Sequence, residues 1–569
     1  MSLDRDALLC LLRQAEEPLT PLEILRRLGL APSAKGALKA LLREMTLEGV
    51  FCDPALAGQL RGMRDLPRVA ELVVTGQDRH GGLIAWFAKA PPLAGAIPPV
   101  VFLRTDAVHF VRPRLASRVL ARLTSLGPGR FAGRVLRLLD ADGGETIGVL
   151  RTVDGCCAPE GVDLTDPSAM EGTGSVVMRA PDGRIRRVLG TQDQPATLML
   201  ACQLEAGLPE VFPDEVLREA AACQPMDEAT ARKQSRLDVR ELPLLTIDGV
   251  DARDFDDAVW AGEMETGLRL VVAIADVAHY VTKDSALDRE ARRRGHSVYL
   301  PDRVVPMLPP RLSEDLCSLR PNEGRPCVLF DLRLSAGGEL EGAELRRGFM
   351  RSHARLTYER MQAVLDGKEK PPQRIPPAMI GALRAVDRAL AAVEVRRGVT
   401  RCEDTQAVPQ FRWENGQPIP YCDVSLASHR MIERFMVMAN HAAARLMRNA
   451  PHAGLFRVHP KGQGVNPSRL PAFASPCPAP HHALALDVYT HVTSPIRRYA
   501  DLLCHRSLFD GVEELEEDRA ALAVHLAATE GRAACVAAVS SARLLTWCGE
   551  VAERGGHVTN ATPSGSRSR

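Results

Sequence analysis

Aromatic side chains are scarce in this chain, with 4 Trp, 6 Tyr and 14 Phe among 569 residues. Between residues 60 and 205 they are too few to show a stacking face for nucleic-acid bases. An excess of charge of either sign is also lacking. The 72 Lys and Arg almost balance the 71 Asp and Glu, for a formal net charge of +1. Attraction for a polyanion must therefore come from local groups of arginine rather than from a global basic field. No two of the 14 cysteines are separated by the two-residue gap of a zinc site, and only Cys156 and Cys157 adjoin. Reduced thiols in a cytoplasmic protein are the simpler reading. The opening Met1 to Asp6 carries charges where a signal peptide needs an apolar run. No apolar stretch looks long enough to span a bilayer. What is present is length: 569 residues exceed one hydrophobic core, so several domains are expected.

Residues 1–55 read as three short helices and a strand. Leu8, Leu9, Leu11 and Leu12 give the first an apolar face. Thr20 and Glu23 form a capping-box pattern with Pro21 at the first helical position and Gly29 at the stop. Ser33 can cap a third helix to Glu48, ended by Gly49 and followed by Val50-Phe51. This is the pattern of a winged helix-turn-helix, which would touch nucleic acid through its third helix, or of a small packing module. Residues 56–205 are β-rich. Val69 to Val74, Val100 to Leu103, Phe131 to Leu138, Ile147 to Val153 and Gly183 to Gly190 read as strands broken by Gly, Pro and Asp. Small barrels of the OB type are favoured, and another antiparallel β domain stays open. From 206 the texture becomes mixed α/β, and all six tyrosines fall between Tyr280 and Tyr499. Residues 513 to 555 read as helix. The last segment, 556–569, is expected to lack order.

The strongest local signal is an apolar strand, Leu244 to Ile247, running into Asp248, Asp251, Asp254, Asp256 and Asp257. Five carboxylates within ten residues repel one another unless cations neutralise them. Oxygen ligands of this kind suit Mg2+, or Mn2+. Two such ions about 4 Å apart can clamp the attacking and leaving oxygens of a phosphodiester. An EF-hand is excluded, because counting from Asp248 its later ligand positions hold Val250, Ala252 and Val259. A solvated acidic loop is the plainer alternative. The interleaved Ile247, Phe255 and Val259 argue for partial burial and so for a metal site.

At these residues the chain resembles the ribonuclease II and ribonuclease R family, with its RNB catalytic domain. Thr246 to Ala258 looks like the family's acidic signature. It is followed in order by Val272-Ala273-Ile274-Ala275-Asp276-Val277-Ala278, by Arg294-Gly295-His296-Ser297-Val298-Tyr299-Leu300-Pro301 with Pro306-Met307-Leu308-Pro309, and by Leu312 to Leu319. Tyr489 to Asp501, containing Ser494-Pro495-Ile496-Arg497-Arg498-Tyr499, is similar to the arginine motif. Five ordered blocks over some 250 residues exclude chance. The resemblance implies an α+β multidomain protein: a winged-helix-like start, an OB-type barrel region and a large mixed α/β RNB domain over 206–555.

The same resemblance implies 3′→5′ hydrolysis of single-stranded RNA to nucleoside 5′-monophosphates. It makes Asp248, Asp254, Asp256 and Asp257 the metal-holding acids, with Asp256 the one most tied to catalysis. Arg497 would fork onto the scissile phosphate; a structural ion pair is the alternative for it and for Arg498. Tyr299 would pack against the terminal nucleotides, with Trp413 stacking opposite. Tyr358 and Glu433 would read the ribose near the cleaved end, where a 2′-hydroxyl separates RNA from DNA. Arg430, Glu433 and Asn440 are expected on one helix face, opposite the apolar residues.

Departures from the family pattern are also expected. A helix-turn-helix-like start replaces the opening barrel, and residues 131 to 205 look like a cold-shock-type OB barrel. The stretch from Arg457-Val458-His459-Pro460 to Tyr489 is short. Val558 to Gly565 looks like the start of a closing OB domain that is cut off, which implies weaker RNA binding. A monomer acting in the cytoplasm, without membrane contact, is expected. Two rivals remain: a catalytically inactive RNA-binding regulator on an RNB scaffold, and a DNA-directed regulator that uses the amino-terminal module.

Overall fold

The structure, a computed structural model, describes residues 7–8, 11–12, 19–47, 69–77, 83–87, 100–104, 117–127, 130–139, 146–149, 152–153, 156–157, 174–180, 184–399, 409–414, 416–421, 425–448, 454–459, 472–510 and 516–555. Near the start, α1 (Pro21–Arg27) opens with both bonds of a capping box. Glu23 N donates to Thr20 Oγ1 at 3.4 Å, and Thr20 N donates to Glu23 Oε2 at 2.7 Å. Gly29 follows at φ +67°, a conformation that suits glycine. Ser33 lies in a tight 3-10 turn, Pro32–Ala34, that leads into α2 (Lys35–Leu47). Leu8, Leu12, Leu19, Ile24, Leu25, Leu38 and Leu42 make one small core. Glu48, Gly49 and the strand expected at Val50-Phe51 lie outside the described residues.

Five strands then close a barrel: β1 (Val69–Gln77), β2 (Leu83–Phe87), β3 (Val100–Arg104), β4 (Arg118–Gly127) and β5 (Arg130–Leu138). Their order around it is β1-β2-β3-β5-β4, with β3 parallel to β5 and β1 antiparallel to β4. This is a barrel of the OB kind. Alternate residues such as Leu72, Val74, Val101, Leu103, Val119 and Ala121 fill the interior. Gly133 is needed where β5 faces β3, because a Cβ there would stand 2.8 Å from Val101 Cγ1 and 2.9 Å from Leu103 Cδ2. The placement corrects one expectation. Phe131 to Leu138 is the last strand of this barrel and does not open one running to 205. The reading had missed the strand at 118–127 and the short one at 83–87. Ile147 to Val153 is also not a single strand. β6 (Thr146–Val149) joins β7 (Ser175–Arg179) and β8 (Ile185–Thr191) in a three-stranded sheet, whereas Thr152–Val153 pairs with Cys156–Cys157.

After α3 (Pro195–Glu205) and α4 (Asp214–Ala222), a seven-stranded sheet organises the rest. Its strands are β9 (Leu237–Asp238), β10 (Leu245–Asp248), β11 (Asp257–Met264), β12 (Gly267–Ala275), β15 (Gly324–Leu334), β16 (Leu340–Arg351) and β17 (Ala354–Thr357). Between β12 and β15 lie α5 (Ala286–Arg294), the ribbon β13 (Val298–Tyr299) with β14 (Val304–Val305), and a π-helical turn, Arg311–Leu316. The order across the sheet is β9-β16-β15-β12-β11-β10-β17. β12 is apolar on both faces, as a strand covered on both sides must be. Leu270, Val272 and Ile274 face a core shared with Leu383, Val386, Phe435 and Met438 of α7 (Pro377–Arg397) and α8 (Ala427–Arg448). Val271, Ala273 and Ala275 face the opposite core, with Leu287, Leu312, Leu502 and Leu522. Each large side chain so buried contributes about 1.5–3 kcal/mol.

Register then decides where polar chemistry can collect. β10 runs parallel to β17, with Asp248 opposite Thr357, and antiparallel to β11. The last residue of β10, the first of β11 and the residue after β17 therefore meet at one edge: Asp248, Asp257 and Tyr358.

The chain continues through the ribbon β18 (Gln410–Glu414) and β19 (Gln417–Tyr421), then β20 (Phe456–Val458) with β21 (Phe473–Ser475). It ends in α9 (Tyr499–Phe509) and α10 (Glu516–Gly555). The expectation that no apolar stretch reaches bilayer length is corrected by α10. Ala521–Val551 is long and apolar enough to do so, but 44% of that window is buried inside the molecule. Leu522, Ala523 and Leu526 join the sheet's core, and Leu544 and Trp547 pack on Met199 of α3. Residues 556–569 lie outside the described residues.

Candidate active site

The acidic loop between β10 and β11 is held from two sides. Arg355 of β17 donates to the carbonyls of Gly249 at 2.7 Å and Val250 at 2.8 Å. Ser318 Oγ donates to Arg253 O at 2.7 Å and accepts from Phe255 N at 3.0 Å, while Leu319 N donates to Phe255 O at 2.9 Å. The Leu312 to Leu319 block thus supplies a clamp for the acids, a task that its sequence alone does not reveal.

Asp256 is only 4% exposed. Its Oδ1 accepts from Ile496 N at 2.9 Å, and its Oδ2 lies 3.7 Å from Arg497 Nε. The two neighbouring arginines therefore part company. Arg497 stays 42% exposed beside Asp256, with its NH2 donating to Ser494 Oγ at 3.1 Å. Arg498 turns inward to Asp501 at 2.7 Å, and that carboxylate has no exposure at all. Asp501 Oδ1 also accepts from Ser494 N at 2.8 Å, fixing the turn that carries Ile496 and Arg497. A third block is tied to this turn. Ser297 N donates to Arg497 O at 3.0 Å, and Tyr499 N donates to Gly295 O at 2.9 Å.

That tie places the ribbon β13–β14 beside the acids. The Tyr299 hydroxyl donates to Asp254 Oδ2 at 3.2 Å. Trp413 of β18 donates from Nε1 to Pro301 O at 2.8 Å, two residues along from Tyr299. Both rings are open to solvent, at 45% for Tyr299 and 36% for Trp413. Tyr358 begins α6 (Tyr358–Leu365), and its ring stacks on His429 of α8. Glu433 lies exposed one turn further along α8. One expected grouping fails here. Asn440 does not share the exposed face with Arg430 and Glu433. It is 3% exposed and hydrogen-bonds Tyr489, Thr493 and Val492 N, because α8 is covered on that side by the arginine-motif loop.

Electrostatics mark the acids as a strained group. Burial first, then the charges of Asp257, Asp256 and Asp254, push the Asp248 carboxyl up to about 8, against the pull of Arg355. Burial lifts Asp257 to about 7, with Arg497 opposing. Asp256 is raised well above the carboxylate range by burial, although Arg497 and the Ile496 amide favour its charge. Among the described residues no three His, Cys, Asp or Glu side chains are drawn into a finished metal-binding group. The donors nonetheless suit a hard divalent cation. Asp248 Oδ2 is buried with no hydrogen-bond partner, and a cation would relieve both that orphaned oxygen and the mutual repulsion.

A family model described as the RNB domain matches residues 236–474 and 465–514. Ribonuclease R of Acidithiobacillus ferrooxidans is 36% identical over 391 residues, covering 64% of this chain and 85% of the relative. The chain belongs to the ribonuclease R family. Ribonuclease R of Vibrio cholerae is 33% identical over 453 residues, covering 67% of this chain and 55% of the relative. Ribonuclease R of Escherichia coli is 34% identical, covering 57% and 46%. The chain thus spans about half the length of several relatives it matches. Among solved structures, Mycoplasma genitalium RNase R in complex with ribose-methylated single-stranded RNA superposes with a TM-score of 0.67 at 22% identity, covering 84% of this chain and 86% of that one. Yeast Ssd1, a pseudonuclease, superposes with a TM-score of 0.62 at 16% identity, covering 86% and 75%. These two likenesses concern the fold, a multidomain α+β architecture with an RNB domain.

Within that ribonuclease R frame, Asp248, Asp254, Asp256, Asp257, Arg497 and Tyr299 stand in one neighbourhood. Tyr358 joins it through its closeness to Asp257 and Asp248, whose charges and its own burial raise the phenol's pKa. Sequence reasoning missed Ile496, Asp501, Ser318 and His429. Ile496 acts through its own amide on a distant carboxylate and Ser318 through its hydroxyl on distant backbone, contacts that no local pattern signals. Asp501 did carry a signal, as a polar residue inside the arginine motif, and His429 as one directly before Arg430 on the helix of Glu433.

Proposed function

We propose that the chain is a 3′→5′ exoribonuclease that hydrolyses single-stranded RNA to nucleoside 5′-monophosphates with a divalent metal, Mg2+ or, in its place, Mn2+. The observation that carries this reading is the pairing of buried Asp256 with the solvent-open guanidinium of Arg497, 3.7 Å apart, among three further acids. Asp248, Asp254 and Asp257 would hold metal, and Asp256 would hold metal or orient the water. A divalent cation bound there supplies positive charge for the phosphate oxygens and lowers the pKa of a coordinated water. Arg497 is exposed enough to fork onto the scissile phosphate and stabilise charge as it develops on the oxygens. The Ile496 amide keeps the Asp256 carboxylate from swinging away. Tyr299 and Trp413, open and adjacent, would stack on terminal bases without regard to sequence. Tyr358 and Glu433 would meet the ribose of the last nucleotides, where the 2′-hydroxyl gives preference for RNA.

Other parts of the reading are proposals of the same kind. The amino-terminal helices would act as a winged helix-turn-helix that adds a nucleic-acid contact, with the protein working as a monomer in the cytoplasm. Eight free thiols among the described residues suit a reducing compartment. The rival, an inactive RNA-binding regulator, draws support from the likeness to a yeast pseudonuclease. A fold shared with a pseudonuclease does not require chemistry, so the acids must decide. All four stand here with Arg497 beside them, which favours the enzyme.

The deciding experiment is digestion of RNA and DNA oligonucleotides labelled at the 5′ end, with Mg2+ and with chelator. A ladder shortening from the 3′ end, on RNA alone and only with metal, supports the enzyme. Tight RNA binding with no cleavage in Mg2+ or Mn2+ supports the regulator.

A further inference from the structure

Tyr358 occupies a sensitive place. It follows Thr357, which pairs with Asp248 across the strands, and it is the first residue of α6. Thr357 caps that helix, its Oγ1 accepting from Arg360 N at 3.2 Å, so the backbone of Tyr358 is fixed. The ring is another matter. Among the described residues no hydrogen bond to the phenol hydroxyl is present. What lies against the ring is His429, with centroids 4.0 Å apart and planes inclined by only 24°. That is a stacked pair in a geometry favourable to aromatic rings.

His429 is itself held in a defined state. Its Nδ1 accepts from Leu426 N at 3.1 Å, three residues earlier. A neutral imidazole accepts at one ring nitrogen and donates at the other, so this bond assigns the proton to Nε2. Around it the start of α8 is laced to the start of α6. Ser428 Oγ donates to Tyr358 O at 2.8 Å, and Ser428 N donates to Gln362 Oε1 at 3.1 Å. Glu433 stands four residues after His429, on the same helix face. One histidine therefore performs two tasks that few side chains combine: a ring for Tyr358 and an acceptor that closes the first turn of α8.

We propose that His429 is the positioning residue for Tyr358, and that through Tyr358 it sets the preference for ribose. The inference rests on the exoribonuclease reading for its functional half; its structural half stands apart from it. His429 does not touch the substrate in this proposal. It holds the ring that does, beside the edge that carries Asp248 and Asp257.

Two variants of the full chain separate the tasks. His429→Asn places an amide oxygen where Nδ1 was, retaining the acceptor and removing the ring. His429→Phe retains a ring and removes the acceptor. Each is assayed with Mg2+ on an oligoribonucleotide and on the same oligonucleotide with deoxyribose at its last positions. His429→Asn is expected to narrow the ribose preference about tenfold. His429→Phe is expected to restore it while melting at a lower temperature, since it lacks the cap. The ring position is read without activity by fluorine NMR of fluorotyrosine-labelled protein, the Tyr358 line being assigned by its loss in Tyr358→Phe. That line should move towards the free amino acid value in His429→Asn and stay displaced in His429→Phe.

A folded His429→Asn with the wild-type ribose ratio would overturn the proposal. So would a His429→Phe as defective as His429→Asn, or a Tyr358 line indifferent to both. If the unsubstituted protein digests no RNA, the proposed function falls and takes the functional half with it. The fluorine line then still decides whether His429 fixes the ring.

Discussion

The backbone N–H of Ile496 donates to the carboxylate of Asp256 at 2.9 Å, joining two residues 240 positions apart in the chain. Neither the acidic loop nor the arginine motif is complete without this bond. Asp256 has one oxygen engaged by the amide and the other turned towards Arg497.

Asp256→Asn keeps a carbonyl oxygen for the Ile496 amide and removes the charge. The fold should therefore survive, with a melting temperature close to that of the parent. Cleavage in single-turnover assays should drop by about 10³-fold or more, the scale of losing a central charged group at a phosphoryl centre. Binding of RNA, read by fluorescence anisotropy, should change little. Retained cleavage would remove Asp256 from its assigned role.

The two arginines should fail in different ways. Arg497→Ala leaves a folded protein whose turnover falls about 10²-fold, as when one charge-stabilising donor is lost. Arg498→Ala leaves the fully buried Asp501 carboxylate uncompensated. Breaking a buried pair from one side costs about 3 kcal/mol or more. Its thermal melt should thus shift clearly downward, whereas that of Arg497→Ala should not. The reverse pattern would exchange their roles.

The acids make a prediction about pH. Without metal, folding raises Asp248 to about 8 and Asp257 to about 7, above the roughly 3.9 of an unfolded aspartate. The folded state then binds more protons than the unfolded one, so stability from these groups is greatest below about pH 4 and is lost as pH rises to about 8. In chelator, the melting temperature of the parent relative to Asp248→Asn should fall steadily across that window. Mg2+ should reverse the trend at the alkaline end, because ionised carboxylates bind it better. A difference that is flat with pH, or unmoved by Mg2+, would contradict a crowded acidic site.

Stacking predicts a sequence-independent loss of affinity. Trp413→Ala should weaken binding of single-stranded RNA by about 1–3 kcal/mol, the usual worth of one base on one ring. Trp413→Phe should recover most of this even though it lacks the hydrogen bond to Pro301. Titrations with homopolymers of different bases should show a similar loss in each. An effect confined to one base would point to readout of its edge instead.

Much of the RNB domain was legible in the sequence, because its candidate site is written in consecutive residues. The acids from Asp248 to Asp257 and the run Ser494 to Arg498 crowd like charges into short stretches. The capping box at Thr20 and Glu23 was legible for the same reason: both partners lie within one turn. The barrel was harder. Leu83–Phe87 is only five residues long and lacks polar alternation, although Gly81-Gly82 before it and Pro91-Pro92 after it are turn signals, and Arg118–Gly127 mixes Arg with apolar residues on an alternating strand. Both were passed over, so the barrel was placed too late in the chain. Asn440 misled for a related reason. Helical periodicity puts it on the face of Glu433, but only tertiary structure shows that α8 runs beneath the arginine-motif loop at that end. His429 gives no sign of its task in the sequence, since a stacking partner 71 residues earlier leaves no mark on local pattern.

The acids are contributed by residues 248 to 257, whereas the amide and guanidinium that steady Asp256 belong to residues 496 and 497. During synthesis the aspartates leave the ribosome long before their keepers. A half-made copy therefore carries the acids without the residues that steady them, and the RNA cleavage proposed above would arise only once the domain is whole.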